Sequence, residues 1–193
     1  MTAGTNASTT SITGAVPDPS TPGQAVTVSV TVSGSGTTPT GTVSISGANT
    51  NCTITLSGGS GSCDAVFNTT GSKTITATYG GDGNYNGSSG SASHTVDKGP
   101  SITTITTVLP EPSAPNESVA VTATVAGAGV TPTGSVGISV SGQPAINCTI
   151  NLVGGTGSCN IAFPLAGTYS ITGTYGGDGN YLPSTSPWTH TVI

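Results

Sequence analysis

The chain has 193 residues, and only 5% of them are charged, against about a quarter in an ordinary globular domain. It has two lysines, no arginine and a net charge of −5, which exclude a basic patch and therefore a nucleic-acid partner. No apolar run reaches the roughly 18 residues of a membrane-spanning helix, so we expect no membrane span in this segment. Serine and threonine fill about a third of the positions, and the apolar residues are mainly Val, Ile and Ala. This composition predicts an all-β protein.

The N-terminal stretch MTAGTNASTT has neither a basic start nor an apolar core, so we do not interpret it as a signal peptide. We expect residues 1–8 to be flexible. Our interpretation is that the chain is a fragment of a longer secreted protein, with Met1 added for expression.

Apolar residues then alternate with Ser and Thr, which is the period of a β-strand. Strand A is expected at about residues 9–16 and strand G at about 91–97. For the five strands between them we predict these inward-facing side chains: Val26, Val28, Val30 and Val32; Val43 and Ile45; Cys52, Ile54 and Leu56; Cys63, Ala65 and Phe67; Ile75, Ala77 and Tyr79.

The whole pattern occurs twice. PDPSTPGQAVTVSVTV at 17–32 aligns with PEPSAPNESVAVTATV at 110–125, and YGGDGNY occurs identically at 79–85 and 175–181. We therefore predict two domains, residues 1–97 and 98–193. Seven short strands in about 95 residues indicate an immunoglobulin-like β-sandwich for each domain.

The stretches PDPSTPGQAVTV, TPTGTVSI, TITATYGGDGNYNGSSG and SHTV resemble those of the bacterial Ig-like domain repeats of large surface proteins. The resemblance covers nearly the whole chain. It implies a non-enzymatic structural or spacer module, part of an adhesive stalk, that is extracellular or at the cell surface. The implied partners are neighbouring Ig-like domains of the same chain and a host or environmental surface ligand.

Each copy holds two cysteines, and CTITLSGGSGSC reads as a strand, a Gly-rich turn and a second strand. Cα atoms on adjacent antiparallel strands lie about 5.5 Å apart, within disulfide range. We predict the disulfides Cys52–Cys63 and Cys148–Cys159, each at the open end of a hairpin, and hence an oxidising, extracytoplasmic setting. The alternatives are reduced, buried thiols and a zinc site, for which each copy offers only two Cys and one His.

The two histidines, His94 and His190, occupy equivalent positions on strand G. A hydrolase triad would need a serine nucleophile and a carboxylate beside the histidine. Because serines are everywhere in this chain, we favour a histidine that bonds to a neighbouring carbonyl or hydroxyl. We predict no catalytic residues and no cofactor.

The repeated GGDGNY lies between strands F and G, where we expect a tight turn whose final tyrosine packs on the end of the sandwich. A second hypothesis starts from the short linker VDKGPS, which would bring loops of the two domains together. Asp18, Asp97 and Asp178 would then converge and bind Ca²⁺ at the domain junction, since calcium takes carboxylate and carbonyl oxygens.

Two other functions are open at this point. The first is a glycan- or ligand-binding module that uses the loops at one end of the sandwich, where Tyr85 and Tyr181, with Trp188, could form a surface for stacking sugars. The parity of strand G favours a core-facing Trp188 instead. Alternatively, the N-terminal segment could add a strand to a neighbouring molecule in a self-assembling filament or matrix.

Overall fold

The computed structural model describes residues 5–193, which form two compact units that meet in the sequence between Asp97 and Lys98. Each unit has seven strands, and every strand pair within a sheet is antiparallel. The prediction of an all-β fold made of two sandwiches is confirmed.

Strands A to G of the first unit are β1 to β7, and those of the second unit are β8 to β14. The bounds in the first unit are β1 Ser8–Val16, β2 Ala25–Gly34, β3 Thr42–Ser46, β4 Cys52–Thr55, β5 Ser60–Val66, β6 Gly71–Tyr79 and β7 Ser88–Val96. The bounds in the second unit are β8 Ser101–Leu109, β9 Ser118–Gly127, β10 Ser135–Val140, β11 Asn147–Asn151, β12 Thr156–Ala162, β13 Gly167–Tyr175 and β14 Ser184–Val192.

Each sandwich consists of a three-stranded and a four-stranded sheet. The orders in the first unit are β1-β2-β5 and β4-β3-β6-β7, and the second unit repeats them as β8-β9-β12 and β11-β10-β13-β14. The alternating residues fill the space between the sheets: Val26 and Val28 on β2 and Ile75 on β6 are fully buried, and Val43 on β3 packs in the same cluster. Strand periodicity therefore identified the core correctly.

The two disulfides are present, Cys52–Cys63 and Cys148–Cys159, each with a Cα–Cα distance of 6.1 Å. Their expected setting within a hairpin is wrong. β4 pairs with β3, whereas β5 pairs with β2, so the chain crosses from one sheet to the other between them. Between these two segments the backbone bridges only at the ends, Ser57 with Ser60 at the turn and Thr50 with Val66 on the far side of the cysteines. The disulfide therefore joins the two sheets of the sandwich along one side.

The N-terminal segment differs from expectation where the structure describes it. Residues 1–4 of the segment expected to be flexible lie outside the described residues. Asn6 forms a parallel bridge with Tyr85, and the Ser8 hydroxyl donates to the carbonyl of Asn86 at 2.7 Å. The expectation of flexibility is therefore wrong for Asn6 and Ser8, because the loop before β7 supplies them with partners.

Tyrosine rings lie against glycines at the ends of β2 and β9. A Cβ atom added at Gly34 would lie 2.1 Å from Cε1 of Tyr85, and one added at Gly127 would lie 2.3 Å from Cε1 of Tyr181. The absence of a side chain at Gly34 and Gly127 is therefore what lets each ring cover the end of its sandwich.

We predict that Gly34→Ala lowers the free energy of unfolding by about 1–3 kcal/mol, because the Tyr85 ring must move out of a packed site. Gly83→Ala is the matched control, since a Cβ atom there would meet nothing within 4 Å. Denaturant unfolding followed by circular dichroism measures both variants. Equal stability of Gly34→Ala and Gly83→Ala would contradict the prediction.

Candidate functional site: the two ends of each domain

The loop between β6 and β7, residues 80–87, is organised by the carboxylate of Asp82. Oδ1 accepts hydrogen bonds from the backbone amides of Asn84 at 2.8 Å and Tyr85 at 2.9 Å. Oδ2 accepts from the amide of Thr40 at 2.9 Å and from its hydroxyl at 3.0 Å. The carboxylate thus closes its own turn and also fastens that turn to the loop between β2 and β3.

Asp178 repeats this arrangement in the second unit. It accepts from the amides of Asn180 and Tyr181 at 2.8 and 3.0 Å, and from the amide and hydroxyl of Thr133 at 2.9 and 3.0 Å. The expected tight turn is present, and the identical YGGDGNY stretches form the same network in both units.

The same hydrogen bonds govern the ionisation of these carboxyl groups. Bonds from the Thr40 and Asn84 amides lower the pKa of Asp82 to about 2. Burial alone would raise the pKa of Asp178, but the bonds from Thr133 and Asn180 outweigh it and lower the pKa. Both carboxylates are therefore charged at neutral pH and engaged by donors of their own domain.

The tyrosine at the end of each repeat is buried, with Tyr85 1% and Tyr181 0% exposed. The Tyr85 hydroxyl lies within hydrogen-bond distance of the Ser35 and Thr37 carbonyls, and that of Tyr181 contacts the carbonyls of Ala128 and Val130. The predicted packing of this tyrosine on the end of the sandwich is confirmed. The alternative hypothesis, a sugar-stacking surface that includes Tyr85 and Tyr181, is wrong for these two rings, because neither has a free face.

Trp188 is half-buried against the core of the second unit, as the parity of its strand predicted. Among residues 5–193, every Phe, Tyr and Trp is buried or half-buried. The described surface therefore offers no exposed aromatic platform for a sugar ring.

A carboxylate, an imidazole and a hydroxyl line up at the opposite end of each sandwich. Nε2 of His94 lies 2.8 Å from Oγ of Ser20, and its Nδ1 faces Oδ1 of Asp18 at 3.2 Å without a well-aligned hydrogen bond. In the second unit, Nε2 of His190 lies 2.9 Å from Oγ of Ser113, and Nδ1 lies 2.5 Å from Oε2 of Glu111. The predicted bond from each histidine to a neighbouring hydroxyl is confirmed.

This order of groups is that of a serine hydrolase triad, but its surroundings prevent that chemistry. Ser20 and His94 are each 1% exposed, and Ser113 and His190 are 2% and 0% exposed. No pocket opens on to these groups in the described part of the chain. A substrate carbonyl cannot reach either hydroxyl, so the cluster acts as a structural contact.

What this cluster holds is the loop between β1 and β2, which carries PDPS at 17–20. The Ser20 amide donates to the Thr95 carbonyl at 3.0 Å, and the Asp97 amide donates to the Ser20 carbonyl at 2.8 Å. In the second unit the amide of Ile193 donates to the Ser113 carbonyl at 2.9 Å. We call this contact the C-terminal tie, because it fixes the chain where it leaves each domain.

An N-terminal tie lies at the other end. The Asn6 amide donates to the Asn84 carbonyl, and the Asn86 amide donates to the Asn6 carbonyl, both at 2.8 Å. Gly99 takes the same position in the second unit. Its amide donates to Asn180 O at 2.9 Å, and its carbonyl accepts from the Leu182 amide at 2.9 Å. The loop that Asp82 or Asp178 organises is thus also the loop that receives the incoming chain.

The three residues of the calcium hypothesis each have contacts inside their own unit, two through the carboxylate and Asp97 through its backbone amide. Oδ1 of Asp18 accepts from the Thr95 amide at 2.9 Å, the Asp97 amide forms the C-terminal tie, and Asp178 accepts four hydrogen bonds. Within neither unit do three or more His, Cys, Asp or Glu side chains among residues 5–193 come together to hold a metal ion. A site shared by Asp18, Asp97 and Asp178 stays a prediction.

A pH titration tests the role of the Asp82 carboxylate. Its folded pKa of about 2 lies below the usual value near 3.9, so its stabilising effect is present above about pH 4 and is lost as the pH falls towards 2. We predict that Asp82→Asn lowers the melting temperature at pH 6, since the amide nitrogen cannot accept from Thr40. The difference in melting temperature between wild type and variant should become smaller as the pH falls from 4 to 2.5. Thermal unfolding at each pH measures it. A gap independent of pH would contradict this assignment.

Comparison with known proteins gives the following similarities. No curated protein matches the chain in sequence. Fibronectin(III)-like modules of Clostridium thermocellum CbhA are 14% identical, with coverage of 95% of this chain and 94% of theirs and a TM-score of 0.36. The Yersinia pseudotuberculosis adhesin InvE is 12% identical, with coverage of 95% of this chain and 58% of that one and a TM-score of 0.45. A Ca²⁺-stabilized adhesin of an Antarctic bacterium is 19% identical, with coverage of 98% of this chain and 50% of that one and a TM-score of 0.37.

This chain thus spans only about half the length of the two adhesin chains, and similarity at this level carries no conclusion about function. The family model is far more specific. The model of the bacterial Ig-like domain (group 3) matches residues 5–97 and again residues 106–193, which together cover nearly the whole chain and one unit each. The chain belongs to the bacterial Ig-like domain (group 3) family, of which it contains two copies in tandem.

Proposed function

We propose that the chain is a non-enzymatic spacer in an extracellular or cell-surface protein, part of a stalk that carries an adhesive region away from its anchor. The observation that supports this proposal most directly is the placement of the two ties. The chain joins each domain at the loop before β7 or β14, and leaves it at the far end of that same strand.

A domain tied in this way has its two chain ends at opposite ends of the sandwich. β7 has nine residues, and a strand rises about 3.3 Å per residue, so each domain adds about 30 Å between its ties. A module with both chain ends at the same end of the sandwich would add almost no length. Serial extension is therefore the task for which this connection is suited.

The segment between the ties is short. Asp97 forms the C-terminal tie of the first unit, and Gly99 forms the N-terminal tie of the second, which leaves Lys98 alone between them. The ammonium group of Lys98 donates to the carbonyl of Asp178 at 2.5 Å within the second unit. One residue offers few rotatable bonds, so we expect a stiff connection, which is a property that a spacer needs.

The surface supports the same interpretation. All outward-facing positions on the four-stranded sheet of the first unit are Ser or Thr. They are Thr42, Ser44, Ser46, Thr53, Thr55, Ser72, Thr74, Thr76, Thr78, Ser89, Ser91, Ser93 and Thr95. A neutral hydroxyl face stays hydrated and gives other macromolecules neither charge nor apolar area to bind. The two disulfides support an oxidising location outside the cytoplasm.

Contacts of the described residues favour the spacer over the two rival functions. The glycan-binding hypothesis depended on Tyr85 and Tyr181, which are buried. The filament hypothesis used an unpaired N-terminal segment; in the described part of that segment, Asn6 is hydrogen-bonded to its own domain. None of the segments between residues 5 and 193 forms a helix with the length and apolar character of a membrane crossing.

A distance measurement tests the stiff-spacer proposal. Spin labels at Ser44→Cys and Ser139→Cys, exposed positions in different units, report the distribution of distances by double electron–electron resonance. We expect a narrow distribution for the wild-type linker and a broad one after insertion of Gly-Ser-Gly-Ser behind Lys98. A distribution as broad in the wild-type linker as in the insertion variant would contradict a stiff spacer.

The calcium hypothesis requires its own test. If Asp18, Asp97 and Asp178 bind Ca²⁺ together, calorimetry after chelation should show binding that is lost in Asp97→Asn. This variant is the informative one, because Asp178 already accepts four hydrogen bonds and its substitution would also disturb the loop. No heat and no thermal shift at millimolar Ca²⁺ would exclude the site.

A further inference from the structure

We propose that the edge between β1 and β7, with its counterpart between β8 and β14, is a shear clamp that resists tension along the chain. The disulfide on the opposite side of each sandwich then limits how far a ruptured domain extends. This inference rests on the proposed spacer function, because a spacer between an anchor and an adhesive region is pulled at its two ends.

The strand directions produce the shear. The bridges Asn6–Tyr85 and Ser20–Val96 are both parallel, so β1 and β7 begin at one end of the sandwich and run side by side to the other. A pull at the N-terminus draws β1 towards its start, and a pull at the C-terminus draws β7 towards its finish. The contacts between the two strands are then loaded together, whereas peeling would break them one after another.

Hydroxyl groups cross this edge in the first unit. Oγ of Ser88 lies 2.7 Å from Oγ of Ser8 and 2.7 Å from Oγ1 of Thr10. Thr10 is only 4% exposed, so water has little access to the inner part of the cluster. Because β1 and β7 belong to different sheets, these side chains connect the two sheets directly along the line of force.

The second unit has the same contacts and one more. Oγ of Ser184 lies 2.7 Å from Oγ of Ser101 and from Oγ1 of Thr103. In addition, the Ile105 amide donates to Oγ of Ser186 at 2.9 Å in a buried position.

The first unit has Gly90 at the position of Ser186. A Cβ atom there would lie 2.3 Å from the Thr10 carbonyl oxygen, so no side chain fits. The C-terminal tie is also better bonded in the second unit. His190 forms a well-aligned hydrogen bond with Glu111, whereas His94 is not aligned with Asp18. The clamp of the second unit should therefore last longer under load.

The disulfide acts after the clamp has ruptured. Cys52 and Cys63 are 11 residues apart in sequence and join β4 to β5, on the side of the sandwich away from β1 and β7. The chain between them cannot extend while the bond is intact. The 11 residues extend to about 38 Å at about 3.5 Å per residue, whereas the intact bond holds the two Cα atoms 6.1 Å apart, so the disulfide withholds about 30 Å of extension in each domain.

Single-molecule force spectroscopy on the full chain, held at its two ends under constant force, tests the proposal. We expect two unfolding steps, with the second unit unfolding later. Replacing Cys148 and Cys159 by Ser identifies the step of that unit, because its step becomes about 30 Å longer. Addition of a reductant should lengthen both steps of the wild-type chain by the same amount.

Ser186→Ala is the decisive variant. Loss of one hydrogen bond of ordinary strength should shorten the lifetime of the second unit under force about fivefold. Thr156→Val is the matched control, because it removes the bond from the Thr156 hydroxyl to the Ala123 carbonyl, which joins β12 to β9 away from the clamp. Both variants should lose comparable stability in denaturant, but only Ser186→Ala should shorten the lifetime.

Equal lifetimes for wild type and Ser186→Ala, or an equal reduction in Thr156→Val, would overturn the clamp. Steps that do not lengthen on reduction would overturn the role of the disulfide. Failure of the spacer proposal would be seen separately. A flexible linker would broaden the distribution of distances between the spin labels, but it would leave the lifetime of each domain under force unchanged.

Discussion

Each domain of this chain depends on the burial of one tyrosine at its N-terminal end. Tyr85 lies over the backbone of Gly34 and fixes the loop before β7, and the carboxylate of Asp82 completes that loop with four hydrogen bonds. The incoming chain at Asn6 then has carbonyl and amide groups to bind. If the ring were displaced, the cap, the attachment of the neighbouring loop and the N-terminal tie would all lose their support.

The scarcity of charge gives the polar side chains unusual tasks. With seven acidic residues and two lysines, the chain has few surface ion pairs, and such pairs would contribute little in any case. Asp82 and Asp178 serve as acceptors for backbone amides, where a charged acceptor forms the stronger kind of hydrogen bond. Neutral hydroxyls supply the contacts between sheets. The surface can therefore remain neutral while the ends of each sandwich are held firmly.

Much of the fold could be predicted from the sequence, because the period of two reports which side chains face inward. Val26, Ile75 and Trp188 were assigned to the correct face on this basis, and the repeated motif gave the turn and its buried tyrosine. The alternation of side chains along a strand does not, however, indicate which other strand it pairs with. The disulfide was therefore assigned to a hairpin, although Cys52 and Cys63 belong to different sheets.

The cluster of Ser20, His94 and Asp18 was missed for a related reason, since His94 lies more than 70 residues after the other two and meets them only in the folded domain. A signal was present in the sequence. Both copies pair an acidic residue two positions before a serine with a histidine on strand G, although acidic residues and histidines are rare in this chain. Two rare residue types that recur together in a repeat are better candidates for a contact than any of the abundant serines.

Differences between the two copies show how one fold can be adjusted at its edges. A serine at position 186 replaces the glycine at position 90, and Glu111 replaces Asp18, which brings the carboxylate into line with its histidine. The core positions around them stay apolar and buried in both units. Because such changes leave the packing of the sheets untouched, the resistance of a domain to force can vary while its shape and its connection to the chain are preserved. Copies of one module can then unfold one after another under a rising load, so that the chain lengthens in stages and each disulfide limits its own stage.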